Sequence, residues 1–166
     1  SPDSYGRGSG QSLLEAEDPH HPSSARFALS APGVLSLFAE RKHYSGVLEF
    51  FAVYTHFFEH RWQLKSRDIT FFVDNVGVLA QLTKGASSAE DLSPVVSAIH
   101  FLVVSFDMRI WWEYVESEAN ISGGLSRSGE NDEMSMRLSW RPKPAVLPPW
   151  GRGWKLKAGD CFKLFV

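Results

Sequence analysis

The chain has 166 residues, of which 43% are hydrophobic and 22% are charged. These proportions exclude a disordered or fibrous protein, and the length suits one globular domain that buries its own core. The single cysteine, Cys161, excludes an internal disulfide framework and a cysteine-rich zinc site, which favours the cytoplasm or the nucleus. No run approaches the roughly 18 apolar residues of a membrane span, so we expect no membrane association.

Charge is distributed unevenly along the chain, whose net charge is −2. Residues 137–166 hold seven basic residues and one acid, whereas residues 1–136 hold ten basic and eighteen acidic residues. The basic segment also contains several Pro and Trp residues. It suits either a linker or a surface that attracts phosphates and stacks on bases, and both interpretations stay open.

Composition also predicts a division of the chain into three parts. Residues 1–26, rich in Ser, Gly, Pro and His, favour a flexible or degenerate arm, and the start at Ser1 favours a processed product or a fragment. Residues 27–130 are predicted to form an α/β domain, although its first strands, around Pro32-Gly33, are uncertain. Residues 131–166 are predicted to be the basic tail or linker.

The first firm element is a helix over residues 45–62. Its apolar residues follow the helical period, and Ser45 offers an N-cap. After a polar connection, residues 69–73 read ITFFV, an apolar run without alternation. This pattern predicts a strand that is covered on both faces.

Two more helices and a strand complete the pattern. A helix is predicted over residues 75–83, and Pro94 suits the first turn of the next helix. Residues 109–115, RIWWEYV, form the last predicted strand. Right-handed crossovers would make the two firm strands parallel neighbours in an α/β fold.

Asp74 stands at the end of the strand over residues 69–73. Ligands of open α/β sheets gather outside the carboxyl ends of the strands, but Asp74 could instead cap the helix that follows. Glu49 lies between apolar neighbours on the first helix, where a carboxylate is costly unless it is paired or coordinated. A surface position favoured by the helix dipole is the alternative for Glu49.

These residues carry a resemblance. The stretch from FFVDN through LTKG and YVESEAN to LSR, with GVLEFFAV before it, resembles the ribonuclease H domain of DIRS-like and gypsy-like retroelement reverse transcriptases. The resemblance covers about residues 45–129. It implies a ribonuclease H-like fold, with a mixed five-stranded sheet flanked by helices. The implied activity is hydrolysis of the RNA strand of an RNA–DNA hybrid with two Mg²⁺ or Mn²⁺ ions, within a larger reverse transcriptase polyprotein.

The resemblance also assigns roles to residues. Glu49 and Asp74 match two of the carboxylates that hold the metal ions and support catalysis. Five further residues match positions near the nucleic acid: Asn75, Lys84, Asn120, Ser126 and Arg127.

Two of the four expected carboxylates are missing. Gly123 occupies the position of the aspartate that precedes the Leu-Ser-Arg triplet, and the first-strand aspartate would lie before Ser1, with Asp3 a poor substitute. Glu116 and Glu118 are close in sequence to Gly123, but solvated loop charges are the ordinary interpretation. We therefore expect impaired catalysis, and a non-catalytic scaffold or nucleic-acid-binding module is the alternative.

Two other groups of residues have ordinary structural interpretations. His20, His21, His56 and His60 include one pair spaced i, i+4, His56 and His60, that could bind a transition metal. A structural or surface role is favoured because no third ligand clusters with the pair in the sequence. Trp111 and Trp112 are predicted to cover the sheet rather than to stack on bases.

Overall fold

The computed structural model describes residues 9–14, 24–28, 40 and 44–145. Its elements, in chain order, are β1 (Ser9–Leu13), β2 (Ser24–Ala28), α1 (Ser45–His60), β3 (Asp68–Val73), α2 (Val76–Lys84), α3 (Ser93–Ser105), β4 (Arg109–Tyr114), α4 (Gly123–Ser128), a 3₁₀ turn (Gly129–Asn131), α5 (Glu133–Arg137) and β5 (Lys143–Pro144). The described part is thus a mixed α/β structure. Asp3, His20-His21, residues 29–39 and residues 146–166 lie outside it.

The long helix α1 forms where the apolar period predicts it. Most of its residues are buried, including Val47, Phe50, Tyr54 and Phe57. The predicted N-cap is wrong, because Ser45 is already the first helical residue. Tyr44 precedes it without a side-chain capping bond, and only its carbonyl accepts a bond, from the Leu48 amide at 2.9 Å.

Strands β3 and β4 are parallel neighbours, as predicted. Their register pairs Asp68 with Arg109 and Phe71 with Trp112. The inner face packs against the helices, and the Phe71 and Trp112 ring centroids lie 5.6 Å apart. The prediction that β3 is covered on both faces is wrong for the described residues. Its side chains alternate, and Thr70 and Phe72 are exposed on the outer face.

The first two strands form an antiparallel hairpin, and β5 pairs with β2 in parallel. β1 lies against α4 and α1. Strands therefore occur within residues 1–26, which we predicted as an arm, and α5 and β5 lie within the predicted tail. The five described strands form two sheets, ordered β1-β2-β5 and β3-β4, rather than one five-stranded sheet.

The core lies between the inner face of β3-β4 and helices α1, α2 and α3. Its largest fully buried side chains include Tyr54, Phe57, Leu82, Ile99 and Leu102. Gly85, with φ 73°, ends α2 in the left-handed conformation that glycine adopts at low cost. None of the helices in the described ranges is long and apolar enough to cross a membrane.

Candidate functional site

Glu49 and Asp74 meet because α1 and β3 run in opposite directions along the core. Asp74 follows β3 directly, at the carboxyl end of the parallel pair, and Glu49 lies in the second turn of α1. The two side chains lie close enough for the charge of Asp74 to raise the pKa of Glu49. The structure therefore brings together two carboxyl groups that are 25 positions apart in the sequence.

The pair holds a proton at neutral pH. Burial, and after it the negative charge of the neighbouring Asp74, together raise the pKa of Glu49 to about 8. A hydrogen bond from the Asn75 side chain acts in the opposite direction. At neutral pH the Glu49 carboxyl is therefore mostly protonated, which avoids a second negative charge beside Asp74.

Asn75, not Asp74, caps helix α2. The Asn75 Oδ1 atom accepts bonds from the amides of Gly77 at 3.0 Å and Val78 at 3.2 Å. The capping role that the sequence left open for Asp74 thus belongs to its neighbour. Asp74 is free of that structural task, and its carboxylate faces Glu49 and Asn120 instead.

Asn120 joins the carboxyl pair to α4. Its Nδ2 atom donates to Asp74 Oδ2 at 3.0 Å, and its Oδ1 atom accepts from the Ser122 amide and hydroxyl at 3.1 and 2.8 Å. The Gly123 amide donates to the Asn120 carbonyl at 3.0 Å. A single residue therefore holds the start of α4 beside Asp74. Sequence reasoning assigned Asn120 to nucleic acid and missed this contact.

Gly123 leaves room for a side chain at the start of α4. A Cβ atom there would lie 3.4 Å from Arg127 Nη1 and 3.7 Å from Arg127 Nη2, the mobile end of an exposed side chain. No carboxylate occupies this position, and the nearest charged group is the guanidinium. An aspartate would meet a cation here rather than a rigid obstacle.

The described residues supply an incomplete ligand set for metal ions. They contain no group of three or more His, Cys, Asp or Glu residues that could hold a metal, so neither Glu116 nor Glu118 joins the pair. Two carboxyl groups suit one Mg²⁺ ion that keeps several waters. They do not suit the two ions that the resemblance implies.

The remaining predicted site residues are scattered. Lys84 is exposed at the last residue of α2, about 12 Å along the helix from its start beside Asn75. Ser126 lies in α4, and nothing is described of its side chain. Arg127 is exposed beside Gly123.

The structure also places the histidine pair and the two adjacent tryptophans that stand out in the sequence. His56 and His60 are buried, with ring centroids 4.6 Å apart, and no third ligand joins them among the described residues. Trp112 packs against the core as predicted, but Trp111 is exposed on the outer face of the sheet.

Comparison of the chain with protein-family models, with curated proteins and with solved structures finds no match.

Proposed function

We propose that this chain is a ribonuclease H-like domain of a retroelement reverse transcriptase whose capacity to hydrolyse RNA in RNA–DNA hybrids is impaired. The observation that carries the proposal is the proximity of Glu49 and Asp74 at the carboxyl end of a parallel strand. The pair supports the assignment because the ribonuclease H resemblance gives both residues the same task, and they meet only in the folded chain.

Impairment follows from the ligand count. Phosphoryl displacement by two metal ions requires oxygen ligands that confine both cations. In the described residues, Glu49 and Asp74 provide two carboxyl groups, and Gly123 provides none. When bound, a divalent cation would supply the charge that stabilises a displaced phosphate oxygen. Glu49 and Asp74 would hold it, Glu49 after losing its proton, and Asn120 would orient Asp74.

The proposed partners follow from the same assignment. They are the RNA–DNA hybrid and the remaining domains of a reverse transcriptase polyprotein, and the compartment would be the cytoplasm or the nucleus. Arg127 beside Gly123 offers a cation for a backbone phosphate, whereas the Asn75 side chain is occupied by helix capping.

A second candidate is a non-catalytic module of the same fold that binds nucleic acid or serves as a scaffold. The position of Arg127 favours it, because a side chain at position 123, where the resemblance requires a metal ligand, would lie beside the Arg127 guanidinium. The two candidates differ in a single measurable property, which is cleavage.

The test is cleavage of a labelled RNA–DNA hybrid in Mg²⁺ or Mn²⁺ by the wild-type chain and by Gly123→Asp. The proposal expects Gly123→Asp to increase the rate by about tenfold or more, the lower end of the effect attributed to groups that support metal ligands. Gly123→Asn is the matched control, because it has the same size and lacks the carboxylate. Asp74→Asn should abolish whatever cleavage is present.

Two negative outcomes of the cleavage test would count against the proposal. If neither the wild type nor Gly123→Asp cleaves, while both bind the hybrid, the non-catalytic candidate stands. If Asp74→Asn cleaves as fast as the wild type, the carboxyl pair is not the site.

A second experiment measures metal binding without cleavage. Mn²⁺ should raise the melting temperature of the wild type above pH 8 and leave Asp74→Asn unchanged, because a cation that binds the folded state stabilises it.

A further inference from the structure

The turn between α1 and β3, residues 61–67, is strongly basic. It reads RWQLKSR, with three basic residues and no acid in a chain whose net charge is −2. We call these seven residues the basic turn. It lies at the opposite end of α1 from Glu49, about 18 Å away along the helix axis. It is therefore distinct from the carboxyl pair.

Trp62 gives the basic turn an exposed aromatic surface. Its side chain is 68% exposed. The indole is held edge-on by Phe106, with ring centroids 5.0 Å apart and an interplanar angle of 86°. Lys65 Nζ lies 6.0 Å from the indole centroid. An aromatic ring that is held in place by a neighbour and remains largely exposed can stack on a planar ligand.

The backbone of the basic turn is fixed by contacts at both ends. Leu64 is buried, and its amide donates to the His60 carbonyl at 2.9 Å. Ser66, with φ 58°, donates its amide to the Phe106 carbonyl at 3.0 Å. The turn thus presents Trp62 and Lys65 on a rigid base, which lowers the entropy lost when a ligand binds.

Two of the acids near the basic turn, Asp68 and Asp107, contact Arg109. Arg109 bonds Asp68 at 2.6 Å and lies 3.8 Å from Asp107. Lys65 makes no ion pair within the described part of the chain, and the Arg61 guanidinium lies over the Phe58 ring, 4.3 Å from its centroid. The positive charge of Lys65 is therefore available to an anion.

We propose that the basic turn is a contact site for single-stranded nucleic acid. One base stacks on Trp62, and an adjoining phosphate lies near Lys65. Stacking on an exposed aromatic side chain beside cations is the physical basis of sequence-tolerant single-strand binding. An acidic peptide would satisfy the cations but would not use the exposed face of the indole. The site is independent of the proposed hydrolysis at Glu49 and Asp74.

The test measures anisotropy of a labelled single-stranded DNA dodecamer with the full chain over a series of salt concentrations. Trp62→Ala is expected to weaken binding about fivefold or more, because loss of one stacked base has at least this effect. Lys65→Gln is expected to reduce the slope of log K against log salt by about 0.7, the value for one phosphate contact on a single strand.

Trp111→Ala is the matched control for Trp62→Ala. Trp111 is also 68% exposed, but its indole N–H donates to the carboxylate of Glu113 at 3.0 Å. The proposal is overturned if Trp111→Ala weakens binding as much as Trp62→Ala does, or if Trp62→Ala binds like the wild type while melting normally. It is also overturned if polyglutamate displaces the DNA as effectively as unlabelled DNA, because an acidic protein would then be the better partner.

Discussion

His56 makes the folded chain sensitive to acid. Its side chain is 3% exposed, its Nδ1 atom has no hydrogen-bond partner in the described residues, and burial lowers its pKa to about 3, with the nearby His60 acting in the same direction. Unfolded His56 takes up a proton near pH 6.5, and folded His56 does not. The free energy of unfolding therefore falls as pH decreases from about 6.5 to about 3.

We expect His56→Leu to remove this dependence. Each pH unit in that window is worth at most about 1.4 kcal/mol, so between pH 6.5 and pH 5 the variant should lose about 2 kcal/mol less than the wild type. Urea unfolding at the two pH values measures the difference. Phe57→Leu changes the same part of the core without a titrating group. It should lower stability equally at both pH values, and a His56→Leu chain that keeps the wild-type slope would contradict the assignment.

The titration of Glu49 changes stability with pH in the opposite direction to that of His56. Its pKa is raised to about 8 by burial and by Asp74, whereas the unfolded value is 4.5. Between these values the folded chain holds a proton that the unfolded chain releases. The contribution of protonated Glu49 to the free energy of unfolding is therefore fully present below pH 4.5 and is lost as pH rises toward 8.

Glu49→Gln should stay stable at alkaline pH, because glutamine resembles the protonated acid. We expect its melting temperature to exceed that of the wild type between pH 7 and pH 9, in EDTA, with the gap widening as pH rises. Glu116→Gln, at an exposed position, is the control and should follow the wild-type curve. A constant gap across the whole range would indicate a packing change rather than loss of a titrating carboxyl.

At the level of elements, α4 and α5 are joined by a close contact at Gly124. A Cβ atom there would lie 1.8 Å from Asp132 Oδ1. Asp132 cannot easily move, because it is 5% exposed and its Oδ2 accepts from the Ser135 amide at 2.8 Å and hydroxyl at 2.7 Å, which caps α5. Glycine at position 124 is thus required by a neighbour's carboxylate.

We expect Gly124→Ala to lower the free energy of unfolding by about 1–3 kcal/mol, through overpacking and loss of the α5 cap. Gly123→Ala is the matched control. Its Cβ atom would lie 3.4 Å from the flexible end of Arg127 and 3.8 Å from the Ser117 carbonyl oxygen, both ordinary contact distances, so its stability should be close to that of the wild type. Chemical denaturation measures both, and equal losses would exclude the contact with Asp132 as the cause.

The elements that the sequence predicts well are those with a strong apolar pattern. Helix α1 and strands β3 and β4 follow from periodicity and β-branched or aromatic content. Strand β1 reads SGQSL and has almost no apolar side chains, so its pairing with β2 is set by the fold rather than by local preference. Strand β5, in the predicted tail, likewise pairs with β2 because the fold brings the two strands together.

The candidate site shows a similar limit. The position of Asp74 after a strand can be read from the sequence, but the bond from Asn120 to Asp74 joins residues 46 positions apart. Likewise, either Asp74 or Asn75 could cap helix α2 as far as the sequence shows. Asn75 is the cap because the backbone before the helix directs its side chain toward the helix amides. The bond to Asp74 depends on a tertiary contact, and the capping of α2 depends on the direction of a side chain. Neither can be read from a short stretch of sequence.

At the level of the whole molecule, an apolar composition does not reveal which face of a strand is covered. Phe71 points inward, and its ring lies 5.1 Å from that of Phe57. Phe72 is 58% exposed on the outer face, beside the exposed Trp111. This aromatic surface favours association between copies of the chain, because burying it removes apolar area from water.

We expect Phe72→Thr to reduce self-association without destabilising the fold. Threonine retains strand preference, and Phe72 contributes little to the core, so the free energy of unfolding should change by about 0.5 kcal/mol or less. Light scattering over a concentration series measures association, and urea unfolding measures stability. Phe71→Thr is the matched control on the inner face and should cost about 2 kcal/mol or more, since it removes a ring packed on Phe57 and Trp112. If Phe72→Thr unfolds as readily as Phe71→Thr, the outer face is part of the core, and its aromatic side chains stabilise the monomer.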